Sequence, residues 1–164
     1  MHIPFLTKKD EAGEIYCGIL LKEKEGSCIL FRKTAQTLTV FKEQPFTYTD
    51  GWEHIVDDVD EALALLEQGG DAIHATQCIF FIFSHLIDLV TKEIAKPYLG
   101  KMRDIAKFLD LKPVGYIEVI DAVHEYLEQL KETRLSSLVI ETDVSQATIF
   151  LYKGGHKIGS HQLG

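Results

Sequence analysis

Two stretches, one near each end of the chain, read as the same object, and that repetition limits the fold more than any single residue. Ile15–Leu21 is an apolar run, followed by the polar turn Lys22–Ser27 and a second apolar run, Cys28–Phe31. Leu138–Glu141 begins another such unit, with a polar turn through Asp143 and a second run ending at Tyr152. Lys153-Gly154-Gly155-His156-Lys157 then turns the chain into a third segment that ends Gln162-Leu163-Gly164. Two strand–turn–strand units with helices and strands alternating between them imply a duplicated α/β architecture with a cleft between its halves.

Periodicity fills in the middle. Strands are predicted at 15–22, 27–33 and 37–42, then a loop from Glu43 to Thr49. Asp50, with Glu53 three residues on, has the form of a capping box. The helix it would open puts Ile55, Val59, Ala62, Leu63 and Leu66 on one face and ends at Gly69-Gly70. Asp57, Asp58, Asp60, Glu61 and Glu67 fill its outer positions, the pattern of a solvated acidic face. Cys78–Phe83 is the longest apolar run and suits a strand buried on both faces. Leu86, Ile87, Leu89, Val90 and Ile94 permit a helix within Ser84–Lys96. Pro97 restarts the chain, and Met102, Ile105, Ala106 and Leu109 mark a second helix that Leu111-Lys-Pro113 breaks. Val114–Ile120 is a strand, and Asp121 caps a helix carrying Ala122, Val123, Tyr126, Leu127 and Leu130.

The resulting order, βββ-α-β-α-β-α-βββ, implies a mixed sheet with helices on both faces, the ribonuclease H-like arrangement. Residues 1–134 make a first lobe, and 135–164 the opening strands of a second, incomplete one. With 164 residues, 46% of them hydrophobic, the chain can bury one substantial core. A formal charge of −8 argues against non-specific nucleic-acid binding, which needs a basic footprint. No stretch approaches the roughly 20 apolar residues of a membrane span. No signal-peptide h-region is visible, and Cys17, Cys28 and Cys78 have no metal-ligand spacing. Cys17 and Cys28 could face each other across the first hairpin, but buried free thiols in a reducing cytoplasm fit better.

Two passages resemble the actin-like ATPase superfamily, in particular its PilM and FtsA branch. Phe108–Val123 is similar to the passage of helix end, GLKPV, strand and E-x-x-A-x helix in PilM-type proteins. Leu138–Gly164 resembles the second phosphate-binding hairpin, D-x-G-x-x-x-T-x-x-x-V-x-x-x-G ending in PLGG, with Gly155 and Gln162-Leu163-Gly164 matching its end. The resemblance implies that ATP phosphates would lie between the two turns, with an aspartate of each hairpin holding Mg²⁺ and its waters. It makes Gly26, Ser27, Glu141, Asp143, Ser145 and Gln146 the candidate nucleotide-binding residues, with Glu141 and Asp143 as metal ligands. The residues themselves read better as turn residues at the sheet end.

The departures from the family pattern bear on function. Leu20 stands where the first aspartate is expected, and Glu23 and Glu25 lie in the turn where phosphate would sit. Glu141 holds the second aspartate position, and Thr142–Gln146 replaces the glycine-rich turn. Two carboxylates beside a polyphosphate would cost several kcal/mol unless a metal intervened. The stretch 84–97 is too short for the family's inserted subdomain, so interactions that run through it do not carry over. The family also continues through a whole second lobe beyond the hairpin matched by the last residues.

These features imply a degenerate actin-like domain without a cofactor. Its role would be a cytoplasmic scaffold, reaching the membrane through other proteins of an envelope-associated assembly for pili or cell division. The alternatives are an active Mg·ATP-binding ATPase and a homodimerising interaction module. Other constellations are weaker. His54 with Asp57 or Asp58 reads as a surface pair, and His156 and His161 flank a surface turn. His124 is expected at an exposed position without a role. Ser84-His85 lacks an acid in register. Glu118 interrupts an apolar strand and needs a polar partner such as a lysine. Tyr48 and Trp52 read as packing under the helix cap.

Overall fold

A computed structural model describes residues 13–48, 50–68, 73–88 and 90–163. β1 (Glu14–Leu21), β2 (Glu25–Lys33) and β3 (Leu38–Thr47) form an antiparallel meander. α1 (Ile55–Glu67), β4 (Gln77–Ile82), α2 (Lys96–Phe108), β5 (Lys112–Glu118) and α3 (Val119–Lys131) follow. β6 (Ser137–Thr142), β7 (Ala147–Lys153) and β8 (His156–Leu163) close the chain as a second meander. One sheet runs β3-β2-β1-β4-β5, with β4 parallel to both β1 and β5, and the other runs β6-β7-β8. The fold is the mixed α/β arrangement expected from the element order.

Alternation makes β1 the centre of the core. Cys17, Ile19 and Leu21 are fully buried on one face, level with Cys28 and Leu30 of β2 and Cys78, Phe80 and Ile82 of β4. Ile55, Val59, Leu63 and Leu66 of α1 and Met102, Ile105 and Ala106 of α2 close over that same face. Each large side chain removed from water there contributes about 1.5–3 kcal/mol. Because both helices lie on one side, Ile79 and Phe81 on the other stay half-buried. The Cys78–Phe83 run therefore has one sealed face, not two. Cys17 pairs with Leu30 and Ile19 with Cys28, so the two thiols sit diagonally rather than facing each other. All three cysteines are free and buried, and burial pushes the Cys78 thiol up to about 12. These are inert core groups.

Several local expectations are corrected. The stretch from Glu43 is not a loop: β3 continues to Thr47, because Glu25–Thr47 pairing carries the ladder on and Phe46 packs against the core. Asp50 is not a helix cap. α1 begins at Ile55 after His54, with no side-chain cap bond. The residues before it serve an aromatic chain instead, Tyr48–Trp52 at 5.9 Å and Trp52–Tyr98 at 4.9 Å between ring centroids. Gly69-Gly70 lies outside the described residues.

Among the described residues no α-helix forms between Ser84 and Ala95, and α2 begins only at Lys96. Ser84–Leu86 is a short 3₁₀ turn, and Asp88 accepts the N–H groups of Val90 and Thr91, both at 2.8 Å. That local bond outcompetes a helix. Lys112 and Pro113 belong to β5, where a proline is tolerated because the strand is an edge. α3 starts at Val119, with Asp121 inside its first turn. It buries Ile120 and His124, while Val123, Tyr126 and Leu130 are exposed. The face is set by β7: His124 stacks on Tyr152 at 3.7 Å, and the Tyr152 hydroxyl donates to Asp121 at 2.7 Å. His124 is thus a packing residue.

Two glycines separate steric demand from propensity. A Cβ at Gly26 would lie 2.5 Å from the Phe46 ring and 2.6 Å from the Leu20 carbonyl oxygen, whereas at Gly100, within α2, it meets nothing. In urea unfolding, Gly26→Ala is expected to lower stability by about 1–3 kcal/mol. Gly100→Ala should raise it by up to ~1 kcal/mol.

Candidate functional site

The two hairpin turns, far apart in sequence, touch. The first closes with Lys22 N–H donating to Glu25 O at 3.0 Å, the second with Asp143 N–H donating to Gln146 O at 2.9 Å. Glu23 N–H then donates to Asp143 Oδ2 at 3.1 Å. In return Ser145 donates to Glu23 Oε2, from its N–H at 3.0 Å and from its hydroxyl at 2.8 Å. Each turn supplies a carboxylate to the other's donors. Ser145's hydroxyl and N–H hold the Glu23 carboxyl below the usual glutamate range, partly offset by desolvation.

Behind this latch His85 is nearly sealed from solvent, its Nδ1 3.3 Å from Asp143 Oδ2 but out of line for a hydrogen bond. Burial pushes its pKa down, and the carboxylates of Asp143 and Glu23 pull it only part of the way back. Tyr48 steadies the first turn by donating to Lys22 O at 2.9 Å.

One strand position deeper, Glu141 is 9% exposed. Its Oε1 accepts the Ser84 N–H at 2.7 Å and the Ser84 hydroxyl, and Ser84 Oγ also bonds Thr148 Oγ1 at 2.9 Å. Glu141 Oε2 is buried without a hydrogen-bond partner. Burial raises the Glu141 pKa, and the Ser84 bonds oppose the rise without cancelling it. Beside these groups opens a cleft of ≈ 450 Å³ lined by Ser84, Lys92, Glu118, Phe150, Lys157 and Gln162 among others. Lys157 Nζ lies 2.9 Å from Glu118 and 3.1 Å from Asp121, the partner that Glu118 required. Burial pulls the Lys157 pKa down, but those two bonds prevail and hold it above the usual value.

Of the expected site residues, Glu141, Asp143 and Ser145 meet at the junction between the sheets. The Gln146 side chain is taken by Gln162. Gly26 and Ser27 are not in the turn, which closes at Glu25. Gly26 is packed against Phe46, and Ser27 is buried inside β2. Glu141 and Asp143 do not converge on a common point: one turns to Ser84, the other to Glu23 N–H and Val144 N–H. Among the described residues no group of three or more His, Cys, Asp and Glu side chains is placed to hold a metal ion. The Ser84-His85 pair does meet acids, Glu141 and Asp143, but one each and in separate contacts.

No protein-family model matches the chain, and no curated protein matches it in sequence. Solved structures do match in fold. The PilM–PilN type IV pilus biogenesis complex aligns with a TM-score of 0.66 at 8% identity, over 90% of this chain and 61% of that one. The ethanolamine utilization protein EutJ from Carboxydothermus hydrogenoformans gives 0.60 at 10% identity, over 91% and 51%. The Ppx/GppA phosphatase of Aquifex aeolicus gives 0.52 at 10% identity, over 92% and 52%. The chain has the actin-like ATPase fold, with PilM among its structural neighbours, and spans about half to three fifths of those chains' length. Among the described residues no helix is long and apolar enough to cross a membrane.

The two carboxylates predict opposite pH behaviour. Glu23 binds its proton less tightly in the latched state than in an unfolded chain. Its contribution is therefore full above the ordinary glutamate range and lost as pH falls through the depressed value. Glu141 has a raised pKa, so its contribution is present in acid and lost as pH rises through that value. In urea titrations across pH, Glu23→Gln should flatten the acid limb of the stability curve. Glu141→Gln should raise the midpoint at neutral pH and leave it unchanged in acid.

Proposed function

We propose that this chain is an actin-like domain whose hairpins no longer grip a nucleotide and which works through protein contacts. The reciprocal bonding of Glu23, Asp143 and Ser145 carries this reading. A phosphate cradle needs free backbone N–H groups aimed at the anion. Here the N–H groups of Glu23 and Ser145 already serve carboxylates of the opposite turn. A triphosphate entering between them would have to expel Glu23 and would then face Glu23, Asp143 and Glu141 at close range.

Two of the nearby cations are committed as well. Lys22 pairs with Glu25 at 2.5 Å, and Lys157 bridges Glu118 and Asp121. Protein partners are the remaining use for such a domain, and the PilM neighbour is seen in a complex with PilN. The role that follows is a cytoplasmic scaffold in an envelope-associated assembly, for pili or for cell division, reaching the membrane through its partners.

Calorimetric titration with Mg·ATP tests the first step. The wild type should give no binding heat, while Glu23→Ala, which frees the Ser145 donors, should gain weak inorganic-phosphate binding. Micromolar, magnesium-dependent ATP binding that is lost in Glu141→Ala would instead establish the ATPase reading. Deleting the gene in its host and scoring surface pili against cell length would separate the two assemblies.

A further inference from the structure

The cleft beside the latch, ≈ 450 Å³ and so the size of a small-molecule site, is lined by two lysines in unlike situations. One wall comes from the chain after β4 and the end of β5, the other from β7 and β8. Lys157 is bound to Glu118 at 2.9 Å and to Asp121 at 3.1 Å. Among the described residues Lys92 makes no ion pair, and its side chain makes no hydrogen bond. The carboxylate that feels its charge, Asp88, already accepts the N–H groups of Val90 and Thr91. The backbone nevertheless holds Lys92 firmly. Its φ is 60°, in the left-handed region that disfavours any side chain. Lys92 N–H donates to Asp88 O at 2.9 Å, Asp88 N–H donates to Glu93 O at 2.8 Å, and Ile87 bridges to Ile94. A strained, well-anchored turn thus puts an uncommitted ammonium at the wall of a cleft. Ile87 and Ile158 line the same space, the latter 56% exposed, and Phe150 lines it too.

We propose that this cleft binds a small organic monocarboxylate, with its carboxylate on Lys92 and its apolar body against Ile87, Ile158 and Phe150. Charge sets the class. With Lys157 balanced by Glu118 and Asp121, Lys92 leaves the lining one positive charge to offer. Glu118 stands in the wall, and Glu141 lies behind Ser84, which also lines the cleft. A second negative charge on the ligand would face those carboxylates with no cation of its own. Phosphate esters and dicarboxylates are disfavoured on that ground, and a neutral molecule would leave Lys92 unpaired. Covering Ile87 and Ile158 takes apolar surface out of water, which favours a hydrocarbon body over a polar one. The Gln162 side chain is held by Gln146, so the Ser160 hydroxyl is the donor in the lining left for the second carboxylate oxygen. The site needs no nucleotide, and it stands whether or not the domain works through protein contacts.

Titration of the full chain with 4-phenylbutyrate, followed by amide NMR shifts, tests it. The wild type should show saturable shifts at Lys92 and at Ile158–Ser160, while 4-phenylbutanol and inorganic phosphate at equal concentration should show none. Lys92→Met should weaken binding by at least about tenfold, and Lys107→Met on α2 should leave it unchanged. Lys92→Gly separates folding from binding. Glycine suits the left-handed backbone there, so this variant should melt no lower than the wild type and still lose the ligand. No saturable shift up to about 10 mM, binding that survives Lys92→Gly, or equal binding of the alcohol would each overturn the proposal. The Mg·ATP titration reads the hairpins and this one the cleft, so either reading can fail alone.

Discussion

A carboxylate withdrawn from water must be met by hydrogen-bond donors, and that demand holds the two sheets of this protein in their relation. The buried Glu141 and Asp143, and the half-exposed Glu23 with them, each accept from a group on the other side of the junction, across separations of 57, 120 and 122 residues. The apolar cluster of the second sheet is small, with Ile120, Phe150 and Tyr152 at its centre and Val139 against it. Area alone would leave the second meander free to slide. The directed N–H bonds to three carboxylates remove that freedom, so the orientation of the small sheet is set by polar geometry more than by burial.

The first sheet was largely legible in the sequence. Its core follows from alternation in β1, β2 and β4 and from the 3.6-residue stripe of α1, and those signals agree with one another. Local expectations failed where a distant partner overruled them. The Asp50 cap lost to an aromatic chain that reaches Tyr98. α3 turned its 120/124 face inward because Tyr152 of β7 offers a ring for His124, which no helical period could reveal. The helix drawn through Ser84–Lys96 ignored Asp88, whose side chain satisfies two backbone N–H groups on its own.

The junction was legible only in part. Family likeness pointed to Glu141, Asp143 and Ser145, and all three do meet there. Their partners were hidden, because a Ser-His pair beside a strand says nothing of acids supplied 57 and more residues later. Glu23 was read as a charge that would repel an incoming anion. Repulsion is what a solvated carboxylate would exert. Folded, the same group becomes the anion that the second turn holds, which turns an unfavourable charge into a directed contact.

The inward pull on Glu141 also determines what the other side of β6 presents. Residues along a strand alternate between faces, so once Ser84 draws Glu141 toward the junction, Leu138 and Ile140 must point away from it. The contact that closes one side of the second sheet is therefore tied to the exposure of the other. The bond that seats Glu141 on Ser84 thus goes with the exposure of Leu138 and Ile140 on the outer face of the same strand. The buried carboxylate on one face and the exposed apolar pair on the other are two consequences of one strand's alternation.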